Sequence, residues 1–599
     1  MRTNRLAVSI AFALTVGLAG CAQRAPQEAR EDRDRQLRDL ASQTEDAATR
    51  AELGPGRTVM PTPSTSSMDE RRRAASGAVA GVPRKAEEAE GYAQTLVLQA
   101  PAAPPVAADA ISPYDGENTE NYAEHDDNGV MRTAEQPVST FSIDVDTGAY
   151  SNVRRMLVAD QLPPADAVRT EEFVNYFDYG YAPPASAATP FAVHTEIAPA
   201  PWNRDRHLLM VGIQGYEVPA AQIPASNLVF LVDTSGSMQD PNKLPLVKAS
   251  LKTLVERLRP QDRISLVVYA GSAGLVLSPT SGAEKATIVA ALDALEAGGS
   301  TNGGEGIALA YAMAEQAYIK GGVNRVILAS DGDFNVGTTS VEALKTLVAD
   351  KRETGIALTT LGFGQGNYDD ETAEQLADAG NGNHAYIDTL REANKVLAEE
   401  LSATMLTIAQ DVKIQIEFNP QVVAEYRLIG YENRMLRRED FANDRIDAGE
   451  IGAGHDVTAL YELTLVGSPA VRIEPLRYGD DKASTASNTA SGDELAHLRL
   501  RYKQPGERAS RLIERPLGRD EIALQAGPRL ELAAAVAGFA ESLRGGAELG
   551  DFDLADVSML ARGVSLPDPF GYRAELVELV ERAAAMKSQA PANEVAIAQ

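Results

Sequence analysis

The stretch "NLVFLVDTSGSM" (227–238) runs through Leu228-Val-Phe-Leu-Val232 without a polar residue, then breaks abruptly into Asp-Thr-Ser-Gly-Ser. An apolar run with no alternation is the pattern of a strand buried on both faces of a mostly parallel sheet. Three later segments read the same way: "RISLVVYA" (263–270), "RVILAS" (325–330) and "IALTTLGFG" (356–364). Between the first two, Leu244, Val247, Leu251, Leu254, Val255 and Leu258 fall at helical three- and four-residue steps. Strand alternating with amphipathic helix predicts a doubly wound α/β domain over 221–405. In such sheets ligands bind beyond the carboxyl ends of the strands, near the point where strand order reverses. The residues that follow each strand are therefore the ones to inspect for function.

The first strand ends in Asp233-Thr234-Ser235-Gly236-Ser237, a D-x-S-x-S pattern whose small intervening residues let the loop turn its oxygens toward one point. Two further segments end at the same edge: "GGSTNGGEG" (298–306), which supplies Thr301, and "ASDGDFN" (329–335), which supplies Asp331. Five hard oxygen donors, without nitrogen or sulfur, suit Mg²⁺ or Mn²⁺ and argue against zinc or copper. In this order, these motifs resemble the metal-ion-dependent adhesion site of a von Willebrand factor type A (VWA) domain. The resemblance implies that Asp233, Ser235, Ser237, Thr301 and Asp331 surround the ion, directly or through water. It also implies that a carboxylate from a protein partner takes the remaining position. Two carboxylates only balance a divalent ion, so an open position would still favour an anionic oxygen.

A second stretch, "FSIDVDTGAYS" (141–151), looks much like the first. Paired Asp-Thr-Gly turns are how aspartic proteases bring two carboxylates together. Here Asp146-Thr147-Gly148 runs into a helical pattern and Asp233-Thr234-Ser235 belongs to an α/β domain, so the two lack matched β-lobes. Residues 141–151 are expected to be structural, with Asp146 or Thr147 capping the next helix. Asp144-Val145-Asp146 also brushes against the D-x-D of haloacid-dehalogenase-type phosphatases, but Gly148 stands where that pattern wants Thr. A metal hydrolase would need a positioned base, and none of the six His adjoins the predicted ligands in sequence; Glu305 is the nearest candidate. The expectation is a non-enzymatic binding protein, with a metal-assisted hydrolase or aspartic-type protease as the alternative.

Outside the α/β domain, the 599 residues divide further. Residues 1–20 read as a secretory leader, with Arg2 and Arg5 ahead of the apolar Leu6–Leu18. Leu18-Ala19-Gly20-Cys21 resembles a bacterial lipobox, which implies a diacylglycerol thioether and an N-acyl chain on Cys21, the chain's single cysteine. Ala22, where inner-membrane lipoproteins usually have Asp, favours the outer membrane by that resemblance. Residues 21–112, rich in Ala, Pro and charged residues, are expected to form a flexible tether. Residues 113–190 read as a small N-terminal α/β unit whose aromatics (Phe173, Tyr176, Phe177, Tyr179, Tyr181) suit a core, with a helix around "RTEEFVNYFDY". Segments 191–220 and 407–505 have strand-like alternation and are expected to pair into a β-sandwich interrupted by the α/β domain. Residues 506–599 are mostly helical in pattern.

The net charge of −29, two units more negative once the leader is lost, argues against a nucleic-acid partner. Leader, tether, N-terminal unit with "NGVMRTAEQPVSTFSIDVDTGAYSNVRRML", type A domain and C-terminal region together resemble bacterial VWA lipoproteins of the YfbK type. That likeness implies architecture and an envelope location more than an activity. Related domains also serve ATPase-driven assembly machines; this chain has no Walker A motif, so such an ATPase would be a separate protein.

Overall fold

In chain order, β1 (Met131–Arg132) and β2 (Val138–Ser142) precede helices α1 (Gly148–Val158) and α2 (Thr170–Val174). Two long strands follow, β3 (Phe191–Ala200) and β4 (Asn203–Gly215). The alternating section begins with β5 (Ser226–Asp233), α3 (Leu244–Arg257), β6 (Arg263–Tyr269), β7 (Ala273–Ser281), α4 (Lys285–Asp293) and α5 (Gly303–Gln316). It continues with β8 (Val323–Ser330), α6 (Val341–Arg352), β9 (Ala357–Phe363), α7 (Asp370–Ala379), β10 (His384–Ile387) and α8 (Leu390–Asn394). Then come β11 (Thr407–Phe418), β12 (Val423–Ile429), β13 (Ile451–Gly452), β14 (Asp456–Leu465), β15 (Glu494–Lys503) and β16 (Arg511–Gly518). Three helices close the chain: α9 (Pro528–Arg544), α10 (Leu554–Gly563) and α11 (Tyr572–Gln589). The computed structural model describes residues 119–143, 146–299, 303–332, 340–400, 406–446, 448–474 and 493–589. The leader, Cys21 and the expected tether lie outside these residues.

The central sheet has the order β10-β9-β8-β5-β6-β7, parallel except for β7 at one edge. Its first strand is apolar throughout because both faces are covered. Leu228, Phe230 and Val232 pack with Val247, Leu251 and Leu254 of α3. Val229 and Leu231 pack with Ile307 and Tyr311 of α5 on the opposite side. From β5 the chain moves outward to β6 on one side and later returns to β8 on the other. The strand order thus reverses at β5, and Asp233 and Asp331 sit at the carboxyl ends flanking that point.

This domain interrupts a β-sandwich. β4 pairs antiparallel with β14, so strands on either side of the insertion share one sheet, ordered β1-β12-β14-β4-β3. The facing sheet runs β13-β11-β15-β16, with β2 on the free stretch of β11. Leu209, Val211 and Ile213 from one sheet and Ile414, Ile416, Leu498 and Leu500 from the other form a common core. Helices α1 and α2 instead share their core with α9, α10 and α11: Phe173 meets Phe539 at 6.0 Å between ring centres, and Tyr150 stacks on Tyr176 at 4.0 Å.

Two local expectations need correction. The helix predicted around 169–179 stops at Val174, because Asn175 turns its amide back onto Glu171 O (2.8 Å) while its Oδ1 accepts from Thr458 N (2.8 Å). Nor, among the described residues, does a neighbouring side chain cap the start of α1. Thr147 makes no side-chain cap, and Ala149 N donates to Glu172 Oε2 (2.7 Å) from α2. Asp146 is committed elsewhere: its Oδ1 accepts from His384 N (2.6 Å) at the start of β10.

The regions are tied by buried ions. Arg154 of α1, only 4% exposed, donates to both oxygens of Asp388 (2.5 and 2.7 Å), to Glu392 of α8 (2.8 Å), to Glu575 of α11 (3.0 Å) and to Tyr176 (2.9 Å). Removing one side of a buried ion network strands the others in low dielectric, at a cost of about 3–5 kcal/mol. Arg154→Met should therefore lower the stability of the full chain by about that amount, read as a shift of the urea midpoint. A midpoint unchanged within error would show that the network contributes nothing net.

Candidate metal site at the carboxyl edge of the central sheet

After Asp233 the chain forms a single 3₁₀ turn, Gly236–Gln239, pinned from beneath by the fully buried Met238. Ser235 N donates to Asp233 Oδ1 (2.8 Å), which folds the D-x-S-x-S segment back onto its own carboxylate. The Ser235 and Ser237 hydroxyls lie 3.0 Å apart. Ser330, the last residue of β8, donates to Asp233 Oδ2 (3.3 Å), and Asp331 follows it directly. The structure thus gathers four of the five predicted ligands, Asp233, Ser235, Ser237 and Asp331, at one edge. The fifth, Thr301, lies outside the described residues. The start of its loop is held close by: Gly298 N donates to Thr234 O (2.8 Å) and Gly236 N to Gly299 O (3.0 Å).

The donor set is all oxygen, which fits a hard dication. Asp233 and Asp331 are both fully buried. Burial pushes the Asp233 carboxyl up to about 6; Ser235's hydrogen bonds oppose the rise and the Asp331 charge adds to it. An ionised carboxylate held at such a cost is what a bound cation would relieve. Among the described residues no cluster of three or more His, Cys, Asp or Glu is placed to hold a metal. Any site here therefore depends on its hydroxyls as well as its acids.

Sequence reading missed a third kind of group. Lys243, which precedes α3, turns inward and places Nζ 2.9 Å from Asp331 Oδ2 and 2.8 Å from Asn367 Oδ1. The available signal was a basic residue closing the loop "SGSMQDPNK", though its acidic partner lies 88 residues away. His384 is held at both ring nitrogens, by Thr360 Oγ1 (2.8 Å) and Tyr368 Oη (2.7 Å). Burial pushes the His455 ring down.

Comparison with known proteins agrees with this architecture. Residues 227–400 match the von Willebrand factor type A domain, residues 116–210 a family described as von Willebrand factor, and residues 403–586 the C-terminal family of the uncharacterized protein YfbK. The chain is 49% identical over 471 residues to the uncharacterized protein YfbK of Escherichia coli K12, covering 78% of this chain and 81% of that protein. It is 28% identical over 239 residues to a UPF0353 protein of Mycobacterium marinum, across 34% of this chain and 71% of the relative. A solved von Willebrand factor type A protein from Catenulispora acidiphila is similar over 68% of this chain and 91% of its own, at 16% identity and a TM-score of 0.37.

The buried carboxylate gives the metal-free protein a defined pH response. A carboxyl raised from 3.8 to about 6 binds its proton more tightly when folded, so stability falls as pH rises through that window and stays low above it. The full effect is about 3 kcal/mol. Asp233→Asn should therefore be more stable than wild type in EDTA at pH 8, by about 1–3 kcal/mol, with the gap closing toward pH 4. Denaturant midpoints across that range check this, and a gap independent of pH would refute it.

Proposed function

The chain belongs to the YfbK family, and from that premise we propose that its type A domain grips a protein partner through a divalent cation and a carboxylate donated by that partner. Asp233, Ser235, Ser237 and Asp331, with Thr301, would hold the ion, Mg²⁺ or Mn²⁺. When bound, the ion supplies a positively charged vacancy for an acidic side chain. The observation that carries the reading is the turn at 233–237, where the Asp233 carboxylate and two serine hydroxyls are folded against one another beside Asp331. The turn is short, anchored by Met238 and tied to the 298–299 segment, so little ordering remains to be done on binding.

The protein acts in this reading by binding rather than catalysis. Both ring nitrogens of His384 are engaged inside the fold, which supports that view. Lipidation at Cys21 would tether the protein to the envelope, at the outer membrane. Among the described residues no helix is long and apolar enough to cross a membrane.

The full-length protein, used as bait on envelope extract, should retain its partner in Mg²⁺ and release it in EDTA. Asp233→Ala and Ser235→Ala should each reduce retention at least ten-fold. A partner held equally in all four conditions would remove the metal-bridged mechanism. Cys21→Ser should move the protein from the membrane to the soluble fraction.

A further inference from the structure

Lys243 is 4% exposed, and buried lysines are rare unless paired. Its side chain is admitted by a slot made from three separate parts of the domain. The residue stands just ahead of α3, its N donating to Asp240 O (3.0 Å) and its O accepting from Val247 N (2.9 Å), and from there the stem runs inward past the end of β9. It crosses Gly364, where a β-carbon would stand 2.5 Å from Lys243 Cε and 2.6 Å from Cγ. Gly364 also has φ +80°, so the backbone there both needs glycine and leaves the lysine its path. The ammonium then meets Asn367 on one side and Asp331 on the other. A cation buried this fully is tolerated because a carboxylate and an amide oxygen both accept from it.

Resting on the dication reading above, we propose that Lys243 is a built-in counter-cation of the site: it holds Asp331 in the metal-free protein and sets how tightly the dication binds. The charges make the consequence direct. Asp233 and Asp331 alone would present two negative charges to an incoming ion; with Lys243 beside them they present one. A dication therefore binds more weakly than the same ligands would hold it without the lysine. Once it is bound, the cluster carries a net positive charge, and an acidic side chain from outside is attracted more strongly than to a neutral site. Lys243 thereby shifts the site from storing metal toward holding metal and acidic partner together.

The test is calorimetric titration of the full-length protein with Mg²⁺, repeated with Mn²⁺, comparing wild type with Lys243→Met and with Lys243→Gln, which keeps a hydrogen-bond donor without the charge. Both variants should bind at least ten-fold more tightly than wild type. Their melting temperatures should fall in EDTA and recover in Mg²⁺, whereas the wild-type temperature changes less. Unchanged or weaker affinity in both variants, with wild type still binding metal, overturns the counter-cation role and leaves the dication reading standing. No binding of either metal to wild type or variants overturns the dication reading and this inference with it.

Discussion

The guanidinium of Arg154 is the constraint on which the arrangement of regions depends. It stands on α1 yet is satisfied almost entirely by groups from elsewhere: Asp388 and Glu392 from the end of the central domain, Glu575 from the last helix and Tyr176 from the segment after α2. A charge buried to this extent needs all of its partners at once, and those partners come from parts of the chain far apart in sequence. Arg169 repeats the device a short distance away, joining Glu172 to Asp370 (2.5 Å) of α7. Asp146 adds a third tie through the backbone of His384. The second Asp-Thr motif thus fastens the N-terminal segment to the domain that bears the first.

What could be read in the sequence is what is local. The apolar run 228–232 shows a two-faced strand because helix layers cover both sides, and the D-x-S-x-S turn shows its spacing because Ser235 closes onto Asp233 only two residues away. The sandwich was legible as alternating strands on either side of the insertion, since each needs one apolar and one polar face. The sharing of one core by α1, α2 and the three C-terminal helices was not legible: Phe173 and Phe539 are hundreds of residues apart, and a helix pattern names its apolar face but not what covers it. The same holds for Lys243, whose partners Asp331 and Asn367 follow two later strands.

The site and the scaffold divide their work accordingly. Strand order places Asp233 and Asp331 on either side of the reversal point, a topological consequence of where the chain turns outward and returns. Side-chain placement is then refined by contacts that have no cost in sequence pattern: a buried methionine under the turn, a glycine where a lysine must pass, a serine reaching across from the adjacent strand.

The first described residues lie along the turn that carries Asn367. Thr119 N donates to Gly366 O (2.9 Å), Asn121 N to Tyr368 O (3.0 Å), and Glu120 Oε1 accepts from Gly366 N (2.8 Å). A mechanical load applied to the chain ahead of Thr119 would enter the molecule there, one contact away from Lys243 and two from Asp331. Any displacement of residues 119–121 would thus reach the Lys243 ammonium through one turn, residues 366–368.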